Sequence, residues 1–157
     1  MTLAVEVLYA TRRPAVPPRG RLVEWARAAA GRRAAGTELA IRIVTPAESR
    51  RLNREYRGMD RPTNVLSFTG AWSTAARRAC GPHGRALGDL AICASVVARE
   101  ARAQRKAARA HWAHMVVHGT LHLLGHDHAR ASDAARMERR ERAILARLGF
   151  ADPYVAP

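Results

Sequence analysis

Leu3, Val5, Val7 and Tyr9 alternate with other residues at period two, which predicts an opening strand closed by Arg12, Arg13 and Pro14. From about Pro18 to Arg33, Leu22, Trp25, Ala26 and Ala29 recur at helical spacing, and Gly36 marks the stop. Leu39, Ile41 and Ile43 alternate again as a second strand. Thr45, Pro46 and Glu48 form a helix-start signature, with a side-chain acceptor before a proline and a glutamate three residues on, leading a short helix to about Tyr56. Asn64 to Phe68, after a turn at Pro62, and Leu87 to Cys93 are β-prone runs. Between them Gly70 to Ala86, rich in Gly, Ala, Ser and Arg, reads as a long surface connection. The remainder is helical: Ser95 to about Gly125 with a break near Ala110, then Ser132 to Leu148, ended by Gly149 and Pro153. Strands and helices that mix without strict alternation predict an α+β fold. We expect a single domain over residues 1–157, with a mixed sheet of about four strands packed with about five helices.

Composition then bounds the partners. Of the 157 residues 48% are hydrophobic, enough for a real core, and 27 Lys+Arg against 13 Asp+Glu leave a charge of +14. Lys106 is the sole lysine, so the charge is almost all arginine. The planar guanidinium suits bidentate phosphate recognition, although a GC-rich genome also writes arginine at exposed positions. Charge alone therefore nominates nucleic acid without establishing it. No run approaches the length of a membrane span, and the first ten residues lack a basic start, so a soluble, unexported, cytoplasmic protein is expected. Cys80 and Cys93 are too few for a disulfide scaffold and are expected as free thiols.

The chemistry concentrates in one tract. Six of the seven histidines fall between His111 and His128, and His118 and His122 stand four residues apart. On a helix that is about 40° of rotation and one turn of rise, so both imidazoles can face one ion. Gly125 permits the chain to leave the helix and return His128 from outside it. Three neutral nitrogen ligands leave a fourth position open, as in catalytic zinc sites. In zincin peptidases the residue after the first histidine is a glutamate that acts as general base; here it is Gly119, which argues against peptide hydrolysis by that route. His114 lies in the same row as an alternative to His128, but three ligands on one straight helix would span about 12 Å. Asp127 is a candidate to accept the second N–H of a ligand, and solvent exposure is its alternative. Cys80 and Cys93, thirteen residues apart, do not have the spacing of a zinc finger.

The tract from His114 to His128 resembles the signature of the YbeY family, bacterial rRNA maturation factors that are zinc-dependent, single-strand-specific endoribonucleases. Two further blocks carry the resemblance: Leu52, Asn53, Tyr56, Arg57, Asp60, Pro62, Thr63, Val65, Leu66, Ser67 and Phe68, and Leu87, Gly88, Asp89, Ile92, Val96, Val97, Arg99 and Glu100. Small departures are Asn64 for a common aspartate, His126 for a tyrosine, and Thr69 and Ala94 for prolines. The resemblance implies one Zn2+ per chain held by His118, His122 and His128, with Arg57 as the essential arginine. It implies cleavage of rRNA, 3′-end processing of small-subunit rRNA and ribosome quality control, with the small subunit or its precursors as partner. The nucleophile stays open between a metal-activated water and the ribose 2′-OH. Arg57 fits the need for a fixed, always-charged group on a phosphorane-like transition state. Arg99, Arg102, Arg105, Lys106 and Arg109, if helical, would share an arc of roughly 120° and form a phosphate-tracking stripe. The alternatives are a zinc metallohydrolase of peptides or small molecules, and a non-catalytic ribosome assembly factor with structural zinc.

Overall fold

The opening alternation forms strand β1 (Ala4–Tyr9), which pairs in parallel with β2 (Thr37–Val44) after helix α1 (Arg19–Ala30) crosses over. The computed structural model describes residues 2–70, 85–126 and 129–156. Helix α2 (Pro46–Arg57) follows β2, then come the edge strand β3 (Val65–Thr69) and β4 (Arg85–Cys93). The four strands stand in the order β1-β2-β4-β3, with β2 and β4 parallel and β3 antiparallel to β4. Helices α3 (Ala94–Ala103), α4 (Ala108–Leu123) and α5 (Ala131–Arg147) complete the described chain. The result is the expected α+β arrangement, a four-stranded mixed sheet with five α-helices among the described residues.

Period-two alternation divides the sheet's side chains between two cores. Leu39, Ile41, Ile43, Val65, Leu90 and Ile92 face α1, α4 and α5, where Leu22, Trp25, Trp112, Val116, Leu121, Met137 and Ile144 meet them. Val44, Leu66, Ala91 and Cys93 face the other way, onto Leu52 of α2 and Val96 of α3. Each fully buried aliphatic side chain contributes roughly 1.5–3 kcal/mol, so the larger face dominates the stability of the molecule. Helix α4 therefore sits on the more strongly held side of the sheet, and α2 on the other.

The helix-start signature at Thr45 is realised: its hydroxyl accepts from the Glu48 amide at 3.3 Å, and Pro46 takes the first helical position. Two boundaries differ from expectation. Regular α1 ends at Ala30, before the expected Arg33, because Gly31 turns to φ +58° and a tight 3-10 turn covers Gly31–Ala34. The break in the long helical pattern falls at residues 104–107, ahead of Ala110. There the Lys106 amide donates to the Ala101 carbonyl at 2.8 Å and the Arg105 amide to Arg102 at 3.2 Å, a left-handed cap in which Arg105 adopts φ +55°. An arginine in a position that usually takes glycine leaves no sequence mark. Most of the expected connection at Gly70 to Ala86 lies outside the described residues; at its end Arg85 and Ala86 already belong to β4.

Candidate metal centre

Helix α4 is apolar on nearly every side because it lies between the sheet and its neighbouring helices, and its one polar row is imidazole. His111, His114, His118 and His122 follow one another with ring centroids 6.2, 6.0 and 4.7 Å apart. His111 and His114 are buried; His118 and His122 are partly exposed. The helix can lie this close to the sheet because of Gly119, where an added Cβ would stand 2.8 Å from Leu90 Cδ2 and 3.2 Å from Val65 Cγ2. Ser67 Oγ of β3 donates to the Gly119 carbonyl at 3.1 Å. The position that carries the general base in zincin peptidases thus points into packed core, with no room for a carboxylate.

Opposite the row stands Glu141 of α5, fully buried. Its Oε1 lies 2.7 Å from His118 Nδ1 and its Oε2 lies 2.7 Å from His114 Nε2, while the Tyr154 hydroxyl also donates to Oε2. Burial alone would push this carboxyl up, yet the bonds from His114, His118 and Tyr154 outweigh it and hold it at about 2. The Tyr154 phenol is pushed up, first by burial and then by its bond to that carboxylate. Tyr154 is itself fixed by the C-terminal segment: its amide donates to Asp152 Oδ1 at 2.9 Å, and Arg142 forms an ion pair with Asp152, Nε to Oδ2 at 3.0 Å.

His114, His118 and Glu141 offer three donor atoms within 4.8 Å of one another, a group able to hold a metal ion. Tetrahedral ligands at about 2.0–2.2 Å from zinc keep their donors roughly 3.3 Å apart. The two 2.7 Å separations are those of charge-assisted hydrogen bonds. Glu141 in this arrangement orients imidazoles, and with Nδ1 engaged, Nε2 is the nitrogen that His118 could offer to an ion, an arrangement also found where a carboxylate braces a metal-ligating histidine. This donor chemistry fits zinc.

The end of α4 follows the glycine turn anticipated at Gly125, which has φ +95°; its amide donates to His122 at 3.0 Å and that of His126 to Leu121 at 3.1 Å. Asp127 and His128 lie outside the described residues. Beside this turn a cleft of about 240 Å3 is lined by Arg33, His126, Asp133 and Arg136. Burial there, and then Arg33, Arg140 and Arg136, press the His126 pKa down.

Arg57 is exposed at the last position of α2, the helix whose Leu52 packs in the smaller core, and the adjacent Tyr56 ring packs edge-on against Phe68 of β3 at 5.1 Å. Of the four arginines on α2, Arg50, Arg51 and Arg54 pair with carboxylates; among the described residues Arg57 has no such partner. The expected cationic stripe is not one helical face. Arg99 and Arg102 belong to α3, Arg105 and Lys106 to the turn, and Arg109 to α4. The Lys106 ammonium donates to the Pro153 carbonyl, and the Arg109 guanidinium lies 5.8 Å from the Phe150 ring. Two members thus help pin the C-terminal segment.

Glu141 and Tyr154 were missed in the sequence because they lie 23 and more residues from the histidines they serve. A signal for Glu141 was present: Met137, Glu141, Ile144 and Leu145 form the buried face of α5, so a glutamate occupies a core position. Cys93 is a buried free thiol, as expected. No helix among the described residues is long and apolar enough to cross a membrane.

The sequence profile described as "Endoribonuclease YbeY" matches residues 21–149. The chain is 51% identical over 146 residues to a protein of that name from Bordetella pertussis, covering 88% of each chain. It is also 51% identical over 155 residues to the one from Alkalilimnicola ehrlichii, covering 97% of this chain and 91% of that one. The solution structure of TM1509 from Thermotoga maritima is similar in fold, with a TM-score of 0.57 at 19% identity over 96% of this chain and 99% of that one. Profile and relatives span the histidine helix, its buried glutamate and the arginine at the end of α2, and on their extent this chain belongs to the endoribonuclease YbeY family.

Proposed function

We propose that the chain is a zinc-dependent endoribonuclease that cuts single-stranded rRNA in the cytoplasm, with one zinc ion held by His118, His122 and His128. The carrying observation is the pair His118 and His122, one turn apart on α4, with a buried carboxylate on His118 Nδ1. Bound zinc would supply Lewis-acid stabilisation of charge on the reacting phosphate. The protein's own residues do the rest. Glu141 holds the His118 ring, and Gly119 closes the space where a peptidase would keep its base. The +14 charge attracts a polyanion, and Arg33, Arg136 and Arg140 gather positive potential around the end of α4. Arg57, without a carboxylate partner among the described residues, is suited to grip two phosphate oxygens at once.

The proposed substrate is the precursor of small-subunit rRNA near its 3′ end, and the proposed partner is the small ribosomal subunit or its precursors. The experiment is metal analysis of the purified chain followed by incubation with pre-rRNA, wild type beside His118→Ala. Zinc and RNA cleavage should disappear together in the variant. Zinc retained at full occupancy would remove His118 from the ligand set and the reading with it.

A further inference from the structure

Glu141 binds two histidines of the same helix row through different ring nitrogens, Nδ1 of His118 and Nε2 of His114, each at 2.7 Å. An ionised carboxylate has no hydrogen to give, so both histidines must be the donors. His118 then carries its proton on Nδ1 and presents the Nε2 lone pair; His114 carries its proton on Nε2 and keeps a bare Nδ1, which is buried without a hydrogen-bond partner among the described residues. We infer that Glu141, seated by Tyr154, is a positioning residue that fixes opposite tautomers on two neighbouring histidines, making His118 a metal ligand and barring His114.

The sorting has a structural logic. His114 and His118 lie on one face, and by type either could take the ion. The nitrogen of His114 that meets the carboxylate shared with His118 is the one that carries its proton, and the other is buried. Tyr154 enters because its hydroxyl binds the oxygen that His114 also binds, so Oε1 is left to His118. Tyr154 in turn is fixed through Asp152 and Arg142. The C-terminal segment is therefore part of the metal centre without touching the ion.

This inference rests on His118 as a zinc ligand, and its test separates the two. Long-range 15N–1H spectra of the histidine-labelled full chain, as purified and after chelator treatment, should show Nδ1–H for His118 and Nε2–H for His114. In Glu141→Gln the amide offers one acceptor and one donor, so one of the two histidines must change tautomer, and zinc affinity measured by chelator competition should fall about 10- to 100-fold. Tyr154→Phe should keep both tautomers and lower affinity less, since His114 still holds the same oxygen; it also serves if Glu141→Gln does not fold. A purely structural glutamate would lower thermal stability and leave tautomers and zinc affinity unmoved. An Nε2–H tautomer for His118 in the wild-type chain, or unchanged zinc affinity in Glu141→Gln while His118→Ala loses the metal, would overturn this inference alone. Zinc retained in His118→Ala would overturn the ligand reading beneath it.

Discussion

That His118 and His122 stand side by side was legible because helical spacing is a local rule; the carboxylate on His118 was not, because Glu141 reaches it across a helix–helix contact. The sequence disfavoured His114 as a ligand on span alone, whereas the structure engages it by a hydrogen bond to Glu141. Arg57 could be singled out only by resemblance, since one arginine among 26 carries no pattern of its own. Its open guanidinium makes a prediction: Arg57→Ala should leave zinc content unchanged and cut RNA cleavage by about 100-fold or more, the scale of a lost transition-state donor. Full activity in the zinc-loaded variant would remove it from the site. Glu100 supplies a pH dependence of a different kind. The bond from His111, helped by Asn64 and opposed by partial burial, holds its carboxyl below the usual 4.5. A carboxyl lowered on folding contributes stability above its unfolded value and loses it as pH falls through the folded one. Glu100→Gln should therefore flatten the decline in urea midpoint below about pH 4.5, and parallel declines in the two proteins would contradict it.

At the scale of elements, the strands and helix starts followed their patterns, and the misplaced boundaries have physical causes. Thr45 formed its cap because the chemistry lies within four residues. The break after α3 was displaced because Arg105 takes a left-handed turn without glycine. Gly119 was legible as a missing general base, but its reason is packing: α4 meets Leu90 and Val65 too closely for a side chain. Glycine to alanine in an exposed helix gains about 1 kcal/mol. Here the methyl group enters filled core, where overpacking costs about 1–3 kcal/mol. Gly119→Ala should accordingly be destabilised by roughly 1 kcal/mol net, read as a lower urea midpoint. A stabilised variant would show that Leu90 and Val65 yield to an added methyl group.

At the scale of the molecule, the order of strand and helix patterns foresaw an α+β fold but could not say which face carries which chemistry. That division follows from strand register, which sends Ile41, Leu90 and Ile92 to one side and Val44, Ala91 and Cys93 to the other. The histidine helix rests on the large core and α2, which ends in Arg57, on the small one, so the two halves of the proposed site differ in how readily they come apart. Local opening costs least where few apolar groups are buried. Amide hydrogen exchange should show α2 releasing its protons through sub-global fluctuations while α4 exchanges only when the whole chain unfolds. The metal cage would then behave as a fixed anvil, and the phosphate-gripping arginine as a part that can let go and re-form without disturbing it.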